Sequence, residues 1–195
     1  MATQYPSIDA QQQAFIERQH VFFVASAAPD ARVNVSPKGL DALRVLGPNR
    51  VVYLDRTGSG NETAAHLLAD GRLTIMFCAF EGPPRILRLY GRGRVLPRSG
   101  AEYADLLAGR FGGEEPVGAR QMVELAVEMV QTSCGYGVPT FDYAGERPSL
   151  DNWAAQKGET GLRCYRREKN DASIDGLPTG FAEPVLTEPA DAPDA

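Results

Sequence analysis

The chain has 195 residues and a net charge of −5, with 43% hydrophobic and 23% charged residues, the proportions of an ordinary soluble globular protein. An acidic balance excludes a general nucleic-acid binder, which carries surplus Lys and Arg against phosphates. No window approaches the roughly 18 apolar residues of a membrane span, so a cytoplasmic protein is expected.

The length suits a single domain with a sizeable core, placed over residues 1–170. Residues 9–19 predict a short helix capped by Asp9, with Phe15 and Ile16 on its buried face. Residues 20–27 are apolar and rich in β formers. Pro29-Asp30 then turns the chain into residues 32–36, whose alternation predicts the second strand of a hairpin. Pro37-Lys38-Gly39 is expected to end that strand, and residues 43–46 form a short further one.

The organising stretch is 51–69. Val51, Val52, Tyr53 and Leu54 make an apolar strand, 55–60 a polar glycine-containing turn, and 61–68 a helix. The first N–H groups of a helix lack internal partners and lie at the positive end of its dipole, which suits an anion such as phosphate. Arg56 adds a charge, Thr57, Ser59 and Thr63 add hydroxyls, and Gly58 and Gly60 allow close approach. An ordinary capped helix after a strand reads the same way.

Beyond Gly71, residues 72–80 predict a buried strand. Residues 85–96 predict a long one, bent at Gly91 and Gly93. A helix capped by Ser99 fills 99–111, and 120–131 alternates as a strand running into 132–137. Residues 149–157 and 160–169 are helical. Residues 171–195, rich in Pro, Asp, Glu, Ala and Gly, predict a poorly ordered tail or one draped over a partner. About six closely spaced strands, with helices between only some of them, predict a mainly β, mostly antiparallel barrel with peripheral helices.

Lys38 could stand beside the Arg56 turn and charge the same site, or be a solvated turn lysine. Arg88 interleaves with apolar residues, facing a ligand or the outside of its strand. Ser133 lies in a small-residue loop that suits a flat ligand or a plain turn. Trp153 can stack on a ring or pack its helix on the barrel. Cys78, Cys134 and Cys164 have neither disulfide nor zinc spacing, and His20 and His66 read as structural, so no metal site is expected.

Taken together, the Asn34-Val35-Ser36-Pro37-Lys38-Gly39 strand end, the run 51–67 with its Asp55-Arg56-Thr57-Gly58-Ser59-Gly60-Asn61-Glu62-Thr63 turn, and the strands at 73–77 and 85–91 resemble the pyridoxamine 5′-phosphate oxidase-related flavoproteins. The resemblance covers roughly residues 15–111. It implies the FMN-binding split barrel, a homodimer with FMN at the subunit interface, and flavin-mediated oxidation or reduction of an unassigned small molecule. It assigns FMN contacts to Ser36, Lys38, Arg56, Thr57, Ser59, Asn61 and Thr63, with the backbone of Tyr53, Leu54 and Asp55 along the ring or ribityl chain. Arg88, Ser133 and Trp153 are assigned to the second subunit's contribution, and no catalytic residue is named. Other members open the phosphate helix with an Arg-Lys pair where this chain has Asn61-Glu62. The oxidase's C-terminal Arg-x-His segment also lacks a counterpart, since 163–167 contains no His. Classical pyridoxamine-phosphate oxidase activity is therefore not implied. Alternatives are a flavin-binding or sensing module without turnover, or a relative using deazaflavin or haem.

Overall fold

The computed structural model describes residues 2–181. In chain order the elements are β1 (Thr3–Tyr5), α1 (Ala10–Glu17), β2 (Phe22–Ser26), β3 (Asn34–Lys38), β4 (Leu43–Gly47), β5 (Arg50–Arg56), α2 (Glu62–Ala69), β6 (Arg72–Cys78), β7 (Ile86–Pro97), α3 (Ala101–Arg110), β8 (Ala119–Ser133) and α4 (Ser149–Lys169). Every strand pairing is antiparallel. The sheet runs β3-β2-β6-β7-β8-β5-β4, with β1 added at β8. The antiparallel class is as expected, but the described residues form eight strands rather than about six. β1 is three residues long, too short to display an alternation, and exists because Gln4 and Tyr5 find Gln131 and Val130 of β8.

The apolar run in β5 is continuous because both faces of that strand are covered. Val51 and Tyr53 enter the main core with Val24, Ile75, Phe77, Leu87, Leu89 and Leu125. Val52 and Leu54 enter a second core with Leu96, Tyr103 and Met122, closed by α3. β8 holds the sheet together by pairing with β7 along one side and with β5 and β1 along the other. β7 changes register between Tyr90 and Gly91. A Cβ on Gly91 would lie 1.9 Å from the Ala126 carbonyl oxygen, so only glycine lets the two strands stay this close through the bulge.

Helix ends follow local chemistry. Asp9 and Gln12 form a reciprocal capping box at α1, with N···O distances of 3.0 and 2.8 Å. The cap of α3 is Gly100 and not Ser99, and it makes no side-chain bond. The two expected C-terminal helical segments meet end to end in α4, broken at Gly158, whose φ is 62°. β3 continues through Pro37 to Lys38 instead of stopping at the proline, because β3 is an edge strand and loses nothing there by lacking an N–H. Residues 171–181, expected to belong to a loose or partner-bound tail, fold back on their own chain. An Ala172–Pro178 bridge closes the turn, and Ser173 and Thr179 are buried. Residues 182–195 of that expected tail lie outside the described residues. No helix among the described residues is long and apolar enough to cross a membrane.

Candidate functional site

Asp55, at the end of β5, is the centre of the site. Its Oδ1 accepts from Lys38 Nζ at 2.7 Å. Its Oδ2 accepts from Arg120 Nη2 and Nε at 2.5 and 3.2 Å and from Gln121 Nε2 at 3.0 Å. The side chains of Asp55 and Arg120 are 4% and 3% exposed and that of Lys38 is 25% exposed. Burial alone would push the Asp55 carboxyl up. The Arg120 and Lys38 charges and their hydrogen bonds reverse this and hold it well below the usual carboxylate range. One carboxylate between two cations leaves this corner with a surplus positive charge.

The 57–61 turn is fixed from behind. Arg120 Nη1 donates to the Gly60 carbonyl at 2.9 Å and to Asn170 Oδ1 at 2.7 Å, and Asn170 Nδ2 donates to the Gly58 carbonyl at 3.1 Å. Asn61, the residue before α2, is buried. Its Oδ1 accepts from Gln121 Nε2 at 2.8 Å and its Nδ2 reaches the Asn170 carbonyl at 3.4 Å. Its amide therefore does not cap the helix, and among the described residues no side chain caps the first-turn N–H groups of α2.

In front of that end is a cleft of about 590 Å³, lined by Asn34, Ser36 and Lys38 of β3, by Asp55, Arg56 and residues 58–63, by Arg120, and by Glu168, Lys169 and residues 172–174. Asn34 orders its β3 wall by donating to Ser26 Oγ and Thr63 Oγ1, each at 3.2 Å, while accepting from Ser36 Oγ at 3.2 Å. A second cleft of about 530 Å³, lined by residues including Leu40, Arg44, Leu54 and Phe111, shares Lys38 and Arg56 with the first.

The residues singled out from sequence divide into three groups. Ser36, Lys38, Asp55, Arg56, Ser59, Asn61 and Thr63 converge on the first cleft. Within that group the Arg56 head is drawn toward α4, donating to the Val117 carbonyl at 2.7 Å and pairing with Asp151. Tyr53 points into the main core, while Leu54 and Thr57, also buried, line the second cleft. Thr57 donates to the Gly118 carbonyl at 2.9 Å and accepts from Arg166 Nη1 at 3.2 Å. Tyr53 is wholly buried, and its hydroxyl, like His66 Nε2, has no hydrogen-bond partner among the described residues. Burial, then the Asp55 charge, raises the Tyr53 pKa well above the ordinary phenol value.

Arg88, Ser133 and Trp153 lie elsewhere. Arg88 Nη1 donates to Ser133 Oγ at 3.3 Å. Registered rows run Pro37–Phe23–Met76–Arg88–Gln131 across four pairings. Side chains on one row share a sheet face and those one residue along take the other. Ser36 and Lys38 therefore occupy the face opposite Arg88 and Ser133. Trp153 packs edge-on against Tyr165 at 5.1 Å within α4. Arg120, Gln121, Lys169 and Asn170 were not singled out. The available signal was Arg120-Gln121 heading a strand whose next six residues, 122–127, hold only one other charge, Glu124.

Residues 8–134 match the family model described as Pyridoxamine 5′-phosphate oxidase. The chain belongs to that family. A Pyridoxamine 5′-phosphate oxidase family protein of Aspergillus flavus, ustO, is 40% identical over 192 residues, spanning 89% of this chain and 76% of the relative. Among solved structures, a variant of HupZ from Group A Streptococcus superposes with a TM-score of 0.51 at 21% identity, over 65% of this chain and 99% of that one. That likeness is one of fold, the split barrel.

Read as family chemistry, the first cleft has the donors a phosphate monoester needs. They are the uncapped start of α2, hydroxyls at Ser59 and Thr63, and the Lys38 ammonium, while the Ser36 hydroxyl proton is given to Asn34 Oδ1. Of the carboxylates in the lining, Asp55 and Glu168 pair with cations, and both Glu62 oxygens accept from the Ile174 backbone N–H at 3.1 Å. Cys78, beside Arg88 on the other sheet face, has its thiol pKa pushed up by burial.

Proposed function

We propose that this chain is an FMN-binding oxidoreductase that works as a homodimer on a small molecule. The observation that carries the reading is the cleft at the start of α2, where Lys38, Ser36, Thr63 and helix N–H groups that no N-cap side chain satisfies meet in one space. A flavin phosphate placed there would be held by α2 and Lys38, with Asn34 keeping the Thr63 and Ser36 hydroxyls in fixed orientations. Bound FMN would supply the two-electron acceptor or donor for hydride transfer, while the protein binds, orients and excludes water.

The arrangement of the sheet's two faces supports the homodimer. A flavin reaching out of one chain's cleft meets Arg88 and Ser133 only if these come from a second copy, because its own lie on the opposite face. The face bearing Arg88 also carries Phe23, Thr74, Met76, Tyr90 and Met129, all half-buried in the single chain, a mixed apolar surface suited to a second subunit.

The test is purification. Protein prepared in the presence of FMN should be yellow, show flavin absorbance, and release FMN on denaturation. Colourless protein that takes up no added FMN would refute the reading.

A further inference from the structure

Residues 169–175 approach α2 from the far C-terminal end of the described chain. Asn170, fully buried, is gripped by Arg120, Asn61 and the Gly58 carbonyl. The turn beyond it is closed by Thr179 Oγ1 donating to the Asn170 carbonyl at 2.8 Å and by Ser173 N–H donating to the Leu177 carbonyl at 2.8 Å. Its outer end is pinned by Asp175, which pairs with Arg32. Between these anchors the Glu62 carboxylate at the start of α2 accepts from the Ile174 N–H, 3.1 Å to each oxygen.

The cations of the cleft are held very differently. Lys38 and Arg120 share the buried Asp55, and Arg56 is held by Asp151 and Val117. Lys169 pairs with Glu168, its chain neighbour, at 2.8 Å with both side chains about half exposed or more. Such an exposed pair contributes little and exchanges readily for a better partner. Lys169 is thus the lining cation most able to turn toward an incoming anion.

Resting on the phosphate reading above, we propose that the 170–174 turn is a structural wall of the ligand cleft, clamped by Glu62, and that Lys169 at its root is a direct ligand for the phosphate. Glu62 then acts as a positioning residue: its carboxylate is spent on the turn, and the turn delivers a cation to the helix start. The ligand class this favours is a phosphate monoester on a bulky group, since one wall donates charge and the cleft remains open in front.

Fluorescence titration of the full-length, flavin-depleted protein with FMN and with riboflavin tests this. Lys169→Ala should bind FMN five- to tenfold more weakly and leave riboflavin affinity unchanged. Glu62→Gln keeps an oxygen acceptor for Ile174 N–H and should bind FMN as tightly as the parent or tighter. Glu62→Ala should weaken FMN binding and speed tryptic cleavage after Lys169, while the thermal melt confirms that it is folded. FMN affinity unchanged in Lys169→Ala, or Glu62→Ala behaving as Glu62→Gln in both titration and proteolysis, would overturn the proposal while leaving the phosphate reading intact. A parent protein with no preference for FMN over riboflavin would overturn both.

Discussion

Lys38 and Asp55 meet at 2.7 Å although β2, β6, β7 and β8 lie between their strands in the sheet. Five steps of 4.7–4.9 Å would put β3 and β5 about 24 Å apart in a flat sheet. The sheet is therefore curled until its ends face each other, and this ion pair spans the seam of the barrel. Since the seam opens into the cleft at α2, the same two residues link closure of the fold to the candidate site.

The two partners should differ in mutational effect. Asp55→Ala leaves Arg120 buried without its carboxylate and is expected to destabilise the protein by roughly 3–5 kcal/mol. Lys38→Ala leaves the Arg120–Asp55 pair intact and removes a partly exposed group, so about 1 kcal/mol is expected. Urea unfolding monitored by Trp153 fluorescence would measure both.

Stability should also depend on acid pH through Asp55. Its folded pKa is depressed by Arg120 and Lys38 below the unfolded value of about 3.9. The stabilisation is therefore complete above the unfolded pKa and is lost as pH falls from there toward the lower folded one. Thermal melts between pH 6 and pH 2.5 should show a steeper loss in the parent than in Asp55→Asn, which begins less stable. Parallel curves would remove Asp55 as the source.

Gly91→Ala is expected to be among the more damaging single-methyl additions. The new Cβ would sit 1.9 Å from the Ala126 carbonyl oxygen, a backbone atom that moves only with β8. A loss of about 1–3 kcal/mol is expected, read as a lower melting temperature.

Much of this architecture is legible in local sequence. The alternation in 32–36, the run of Val51, Val52, Tyr53 and Leu54, and Asp9 as a helix cap each decide their own element, because their physical cause lies within a few residues. The site is legible only in part. Ser36, Lys38 and Thr63 reach the cleft as their motifs suggest. Asn61 and Glu62, however, read locally as a phosphate helix missing its charge. What occupies them is Asn170 and Ile174, 109 and 112 residues away in the chain. Arg120 likewise makes sense only beside Asp55, 65 positions earlier. Buried polar groups take their meaning from partners, and sequence spacing does not reveal partners brought together by barrel closure.

The sheet face carrying Met76 and Arg88 yields a prediction about assembly. Sedimentation should find the parent as a dimer and Met76→Glu as a monomer, since a charge at the centre of that face would have to be buried unpaired. A parent that sediments as a monomer at every concentration would remove the proposed second subunit.

The most direct measurement is the affinity of the parent and of Lys38→Ala for FMN and for riboflavin, which differ only by the phosphate. The parent should prefer FMN by at least tenfold and Lys38→Ala should lose most of that preference, as expected for about 1.5–3 kcal/mol from a hydrogen bond to a charged group. Equal affinities for the two flavins in the parent would contradict it.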